Sequence, residues 1–260
     1  MKVVLFCGGL GMRLHPDTEN VPKPLVHIGG KPILWHLMKY YSHYGHKDFI
    51  LCLGYKGEEI KKFFLNYDEC LSSDFILSRG GKKRLLLKSD VEDWRITFAD
   101  TSFHSSVGQR LKAVQKYVKG EKMFLANYSD GLSDLPLPKI IDFFLKQGKT
   151  GCFVAVKPFY TFHIISIDTD SCVKSVSPVS QSNLRMNGGF FVFKDKIFDY
   201  IEEGEDLVNE PFQRLIQKRE LVAYEYDGFW ASLDTYKDKQ RLDKLASKNN
   251  AFWQIWNHSS

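Results

Sequence analysis

The sequence is poor in the features that mark specialised classes. It has only five cysteines, Cys7, Cys52, Cys70, Cys152 and Cys172, and no Cys-x-x-Cys pair. An odd, scattered set excludes a disulfide framework and a zinc ribbon. Several of these residues sit inside apolar runs. They read as reduced thiols acting as small hydrophobes in a cytoplasmic protein. No apolar run approaches the roughly 18 residues that span a bilayer, so no membrane segment is expected. The apolar start, Val3 to Cys7, is also too short for a secretion signal. Neither sign of charge dominates: 36 Lys and Arg stand against 31 Asp and Glu, a net of +5. That balance lacks the basic stripe of a nucleic-acid binder, and nucleic acid is not an expected partner. It suits a protein that handles small anions.

What is present is core material. Hydrophobic residues make up 43% of the 260, enough for a large core without covalent staples. Val3 to Cys7 and Phe49 to Leu53 are β-prone runs of buried parallel strands. Between them, Pro32 to Tyr44 has helical spacing, with Pro at its start and Gly45 after its end. The alternation continues with helices near 58–65, 109–118 and 137–146 and strands at 123–127 and 152–156. Short strands follow near 163–167 and 173–177, then a longer one at 189–193. Helices at 195–202, 208–218 and 236–247 and a strand at 221–226 complete the chain. This predicts an α/β fold: one domain over residues 1–260, with a mostly parallel, Rossmann-like sheet flanked by helices. Residues 67–107 break the rhythm and predict a small β excursion, a meander of Phe75–Leu77, Arg84–Leu87 and Trp94–Phe98. No linker or internal repeat divides the chain.

Gly8-Gly9-Leu10-Gly11-Met12-Arg13-Leu14 follows the first strand directly. The third glycine of a dinucleotide fingerprint is missing, which disfavours a dehydrogenase, and no Walker A loop occurs. What remains is a glycine loop with exposed backbone N–H groups and a guanidinium among them. Such a loop can wrap a triphosphate, or it is an ordinary strand-exit turn. Lys23 stands between Pro22 and Pro24 in a segment expected to be extended and stiff. That frame would aim an ammonium; the plain alternative is a surface lysine.

Asn127 to Asp134 ends an apolar strand in an acidic turn. Ligands of open α/β sheets gather at such strand ends. Asp130 there can hold Mg²⁺, which takes oxygen ligands, and Asp234 in Leu233-Asp234-Thr235 is a second candidate. Either alone could instead cap a turn. Asp134 reads as the N-cap of the helix after Pro136. Gly108-Gln109-Arg110-Leu111 opens a helix whose N-terminus favours phosphate. An exposed helix-face charge is the other reading of Arg110. Three histidines, His36, His43 and His46, lie near one helix without metal-ligand spacing. Trp253 and Trp256 are expected to pack on the body or on a neighbouring subunit.

Together, Gly-Gly-x-Gly-x-Arg-Leu, the Pro-Lys-Pro-Leu that follows and Gly29-Gly30-Lys31-Pro32-Ile33-Leu34 resemble the sugar-phosphate nucleotidyltransferases. Within them, Ile33-Leu34-Trp35-His36, Gly188-Gly189-Phe190-Phe191 and Asp227-Gly228-Phe229-Trp230 are most similar to glucose-1-phosphate cytidylyltransferases. The resemblance implies a fold of the nucleotide-diphospho-sugar transferase type. It implies attack of a sugar phosphate on the α-phosphorus of CTP, with Mg²⁺ and release of pyrophosphate. Arg13 would hold the departing phosphates and Lys23 the α-phosphate. Asp130 and Asp234 would hold the metal. Gly8, Gly9, Gly11, Gly108 and Arg110 would serve the nucleotide, and Asn187 and Gly188 the acceptor. A homo-oligomer is typical of such enzymes.

The acceptor side departs from the family. Pro158–His163 lacks its Gly-Arg-Phe-Gly, and Ser177–Asn183 lacks its Glu-Lys-Pro. A different phosphorylated acceptor, sugar or not, is therefore one alternative, with Arg185 or His163 as substitute cations. A regulatory protein that keeps only the donor site is another. A glycosyltransferase using Asp130 and Asp134 is a third.

Overall fold

The computed structural model describes residues 1–9, 21–67, 74–87, 91, 93–158, 162–248 and 250–257. Strand β1 (Lys2–Phe6) sends alternate side chains to opposite faces. Val3 and Leu5, with Cys7 just beyond, enter one apolar cluster; Val4 and Phe6 enter another. Both faces are buried, which is why the run is continuously apolar. A short ladder of β2 (His27–Ile28) and β3 (Lys31–Pro32) leads into α1 (Ile33–His43). Gly45, at φ 80°, turns the chain out of that helix into β4 (Asp48–Leu53), parallel to β1.

After α2 (Gly57–Leu65) come β5 (Phe75–Ser78) and β6 (Lys83–Leu86), an antiparallel hairpin off the main sheet. The third strand expected in that excursion is elsewhere. β7 (Arg95–Asp100) lies parallel to β4 and forms an edge of the main sheet. The intervening helix and hairpin supply the long crossover that a parallel neighbour needs. The excursion is thus a two-stranded hairpin, not a three-stranded meander.

The expected helix at 109–118 is two pieces, α3 (Val107–Ala113) and α4 (Gln115–Val118). They lead to β8 (Met123–Tyr128), parallel to β1 on its other side. β9 (Gly131–Ser133), α5 (Leu137–Gln147) and β10 (Gly151–Val156) follow, then a separate hairpin of β11 (His163–Ile167) and β12 (Val173–Pro178). β13 (Met186–Asn187) and β14 (Phe191–Lys194) both pair antiparallel with β10, at opposite ends of it. They are two halves of one strand. The break falls where Gly189 and Phe190 take φ of 73° and 49°, so the expected strand at 189–193 starts two residues late. The expected helix at 195–202 is a 3₁₀ segment, Asp195–Tyr200. Then come α6 (Glu210–Gln217), β15 (Leu221–Tyr226) parallel to β10, β16 (Trp230–Ser232) and α7 (Tyr236–Ser247). Across the sheet the order is β15, β10, β13 with β14, β8, β1, β4, β7.

A third apolar cluster bears on the site. Leu132 on β9, Ala231 on β16, Leu233 just after it, Leu242 on α7 and Trp253 pack together. Trp253 is buried and stacks on Phe229, so this tail tryptophan packs on the chain's own body. No helix among the described residues is long and apolar enough to cross a membrane.

Candidate active site

The carboxyl ends of β1 and β8 open into a cavity of about 560 Å³. Gly8, Gly9, Lys23, Arg110, Asp130 and Asp234 all line it, though they are scattered from residue 8 to residue 234. Gly11 and Arg13 lie outside the described residues.

The two aspartates are set side by side by one small ladder. β9 and β16 pair antiparallel, with Gly131 opposite Ser232. Asp130 precedes the first strand and Asp234 closely follows the second, and the Leu233 N–H donates to the Asp130 carbonyl at 2.9 Å. Ser232 Oγ donates to Asp234 Oδ2 at 2.7 Å and orients that carboxylate. Neither aspartate is the cap of the helix that follows: Thr235 caps α7, in a reciprocal pair with Asp238. Asp134 is not a cap either. α5 is preceded by Pro136 without a side-chain cap, and Asp134 instead accepts a bond from the Tyr226 hydroxyl.

Lys23 Nζ stands between the carboxylates, 2.5 Å from Asp130 Oδ2 and 2.8 Å from Asp234 Oδ1. Its backbone is not extended as expected. Pro22 is extended, but Lys23–Leu25 close a 3₁₀ turn through the Leu25 N–H and the Pro22 carbonyl at 2.8 Å. The turn keeps the stiffness that the prolines supply. Burial disfavours the Lys23 ammonium, but Asp130 and Asp234 outweigh it and hold its pKa above the ordinary lysine value. Lys23 is therefore no solvated surface lysine.

Arg110 is not an exposed helix-face charge. It is 4% exposed, and its guanidinium donates to the carbonyls of Gly8, Leu53, Ser102 and Phe103 and to Thr101 Oγ1, at 2.8 to 3.2 Å. It fastens Gly8, at the exit of β1, to the ends of β4 and β7 while lining the cavity. Gly108 does not line the cavity: a Cβ there would stand 2.6 Å from the Glu205 carbonyl oxygen. Ser129, where the family pattern has Gly, donates from Oγ to the Phe6 carbonyl at 2.8 Å and ties β8 to β1.

Asn187 and Gly188 lie one residue behind the cavity. Asn187 Nδ2 donates to the Tyr128 hydroxyl at 3.3 Å, and Tyr128 lines the cavity. The Gly188 carbonyl accepts from Trp230 Nε1 at 2.8 Å. Arg185 pairs with Asp227 at 2.7 Å and Glu225 at 2.9 Å, and His163 is exposed on β11. Phe103, His104 and Asp206 also line the cavity, and sequence reasoning missed them. They sit in irregular segments with no motif, so only the fold brings them in.

The donor set suits a hard cation. Two carboxylates converge on one point that already accommodates a positive charge. Among the described residues no group of three or more His, Cys, Asp and Glu could hold a metal. An ion here would draw its other ligands from phosphate and water, as Mg²⁺ commonly does.

Residues 2–239 match the family model described as Nucleotidyl transferase. The chain is 40% identical over 257 residues to a glucose-1-phosphate cytidylyltransferase of Salmonella typhi, covering 98% of this chain and 100% of that protein. It is 37% identical over 258 residues to a probable glucose-1-phosphate cytidylyltransferase of Bacillus subtilis (strain 168), again covering 98% and 100%. Among solved structures, a putative glucose-1-phosphate thymidylyltransferase from Bacillus anthracis, in complex with a sucrose, superposes with a TM-score of 0.67. That match has 17% identity and covers 95% of each chain. An apo UDP-glucose pyrophosphorylase superposes with a TM-score of 0.70 at 15% identity, covering 96% of this chain and 99% of that one. These two likenesses bear on the fold alone.

Proposed function

The chain belongs to the nucleotidyl transferase family, and from that premise we propose that it transfers the CMP group of CTP to glucose 1-phosphate. A phosphate oxygen of the acceptor forms a bond to the α-phosphorus, the bond from that phosphorus to the β-phosphate oxygen breaks, and pyrophosphate leaves. The acceptor supplies the nucleophile, so no side chain has to. Catalysis then rests on positioning and on neutralising charge. The observation that carries this reading is the convergence of Asp130 and Asp234 on Lys23 beside the glycine loop.

Lys23 meets the charge that builds at the α-phosphate. Gly8, Gly9 and Gly11 present backbone N–H groups to the triphosphate, and Arg13 holds the phosphates that depart. Gly108 and Arg110 serve the nucleotide, Arg110 from the cavity lining and Gly108 from the turn of α3 that it lets pack closely. Asn187 and Gly188 bind the acceptor. Enzymes of this kind generally use a divalent metal, and we assign Mg²⁺ to Asp130 and Asp234. When bound, the ion neutralises phosphate charge and aligns the two substrates. Residues 1–260 act as one domain in the cytoplasm, on soluble substrates. The exposed Ile165, Ile167, Val173 and Val176 of the β11–β12 hairpin support a homo-oligomer.

One observation favours a second acceptor. Arg185, a candidate replacement for the missing phosphate-binding lysine, is held by Glu225 and Asp227. Pyrophosphate release from CTP, UTP, GTP, ATP and dTTP, each with a panel of sugar phosphates and non-sugar phosphates, tests both readings. Release with CTP and glucose 1-phosphate is expected. CTP-dependent release with another acceptor alone favours the second reading. No release with any pair sinks both.

A further inference from the structure

We propose that Asn127 is a positioning residue for the acceptor: its side-chain oxygen holds the chain break at Gly189 and Phe190 against β8, and so sets Asn187 and Gly188. This deepens the reading above, in which Asn187 and Gly188 bind the acceptor, and rests on it.

Asn127 is an amide in an otherwise apolar stretch of β8, and it is 1% exposed. Strand alternation puts it on the face of Leu125, in the first apolar cluster. Burying an amide there is unfavourable unless it makes hydrogen bonds. Its Oδ1 makes two, accepting from the N–H groups of Tyr128 and Phe190, each at 2.9 Å. Among the described residues, Nδ2 makes no well-formed hydrogen bond, and neither does the Tyr41 hydroxyl beside it. The amide is thus there for its oxygen.

That oxygen takes over where the sheet stops. β14 pairs with β8 in a register that sets Phe191 opposite Ala126 and Val192 opposite Leu125. One more step would set Phe190 opposite Asn127 as ordinary strand. Instead Phe190 has φ 49°, a left-handed conformation that any side chain other than hydrogen resists. Such a conformation persists only where its surroundings enforce it. Here the Phe190 ring is buried edge-on against Tyr40, with centroids 5.3 Å apart, and its N–H is taken by the Asn127 side chain. Gly189, at φ 73°, leaves room for the same oxygen: a Cβ there would stand 2.3 Å from Asn127 Oδ1.

The consequence reaches the acceptor turn, because residues 187–189 hang between two strands. On the β10 side, the Gly188 N–H donates to the Val154 carbonyl at 2.8 Å, and the Val154 N–H donates to the Gly189 carbonyl at 2.9 Å. On the β8 side, Asn127 Oδ1 holds the Phe190 N–H, and Asn187 Nδ2 donates to the Tyr128 hydroxyl. Asn187 Oδ1 closes the turn on itself by accepting from the Gly189 N–H at 3.0 Å. Since Asn127 Oδ1 also holds the Tyr128 N–H, one atom joins the acceptor turn to a residue that lines the cavity. Both of its bonds go to this region, and neither goes to Gly8, Lys23 or Arg110. Loss of the oxygen should therefore bear on the acceptor and spare the nucleotide.

The test is steady-state pyrophosphate release with CTP, glucose 1-phosphate and Mg²⁺, together with calorimetric binding of each substrate. Asn127→Leu, of similar size without an accepting oxygen, should raise the KM for glucose 1-phosphate about tenfold or more and change the KM for CTP by less than about twofold. Asn127→Asp keeps the accepting oxygen, and its second oxygen would stand beside the Tyr41 hydroxyl, a donor. It should return the acceptor KM to within about threefold of wild type. A merely structural role would lower the melting temperature without separating the two constants. An unchanged acceptor KM in Asn127→Leu, equal rises in both constants, or an Asn127→Asp as impaired as Asn127→Leu overturns the proposal. Should Asn127→Leu not fold, Asn127→Ala, which adds no bulk, is judged by the same criteria. A wild type that binds glucose 1-phosphate but releases no pyrophosphate, with binding weakened in Asn127→Leu and kept in Asn127→Asp, supports this inference and overturns the proposed reaction. Turnover whose acceptor KM ignores Asn127→Leu overturns this inference only. A wild type that neither binds nor uses glucose 1-phosphate overturns both.

Discussion

A Cβ on Gly8 would stand 2.1 Å from Cζ of Arg110, inside the space its guanidinium occupies. The glycine after the first strand and the arginine on α3 therefore determine each other's position. The backbone can pass this close to the guanidinium only because residue 8 has no side chain. The arginine can bond the Gly8 carbonyl, at 3.1 Å, only because the chain leaves β1 at that point.

Gly8→Ala should accordingly destabilise the fold by about 1–3 kcal/mol, because the buried guanidinium, fixed by its hydrogen bonds, has no room to yield. Arg110→Met keeps bulk but leaves the carbonyls of Gly8, Ser102 and Phe103 short of a donor. A loss of about 2 kcal/mol or more is expected there. Urea unfolding measures both, and wild-type midpoints would refute the coupling.

Lys23→Ala and Asp130→Asn should each lower turnover by at least about 100-fold while circular dichroism and melting stay close to wild type. Lys23 contributes charge in the cavity, and its side chain is not part of the apolar core. Chelation with EDTA should stop pyrophosphate release, and added Mg²⁺ should restore it. Near-normal activity of either purified variant would remove that residue from the site.

Trp230→Phe deletes the bond from Nε1 to the Gly188 carbonyl while keeping an aromatic ring. A lost hydrogen bond of this kind is worth roughly 1 kcal/mol, or about fivefold in an equilibrium. The KM for the acceptor should rise by about that factor, with the KM for the nucleotide unchanged. Equal rises in both would place the Gly188 turn outside the acceptor pocket.

His36 gives the stability a pH dependence. It is 1% exposed, its Nε2 donates to the Ile28 carbonyl at 2.8 Å, and Nδ1 accepts from Trp253 Nε1 at 3.3 Å. Both ring nitrogens are thus satisfied in the neutral form. Burial pushes the pKa down from 6.5 to about 4, with the backbone bond opposing. Between these values the unfolded chain binds the proton that the folded chain refuses. This contribution is complete above about pH 6.5 and lost as pH falls toward 4, a change of about 3 kcal/mol. Unfolding free energies at pH 7, 5.5 and 4.5 should follow that slope, and His36→Gln should flatten it.

Local signals in the chain were strong where one physical constraint acts alone. The run Val3 to Cys7 is apolar at every position because both faces of β1 are covered. β15 and α7 have the bounds expected from the sequence, Leu221–Tyr226 and Tyr236–Ser247. Lys23 stands out in the chain by its flanking prolines, and Asp130 and Asp234 by the turns that end strands; the structure brings all three to one cavity. β7 was misplaced because a six-residue β-prone stretch carries no mark of its neighbour. Whether it joins a hairpin or the edge of a parallel sheet depends on where the preceding crossover returns the chain.

The sequence by itself determined the alternation of strands and helices, the glycine loop and the residue types that phosphate chemistry requires. Those are properties of a few consecutive residues, set by backbone sterics, periodic burial and charge. Only the tertiary structure decided that Arg110 is a buried tie and not a surface charge. Only it placed Lys23 between Asp130 and Asp234, 107 and 211 residues away, and set Asp206 on the cavity wall. Each of these depends on contacts between distant segments, and such contacts exist only once the sheet has brought its strand ends together.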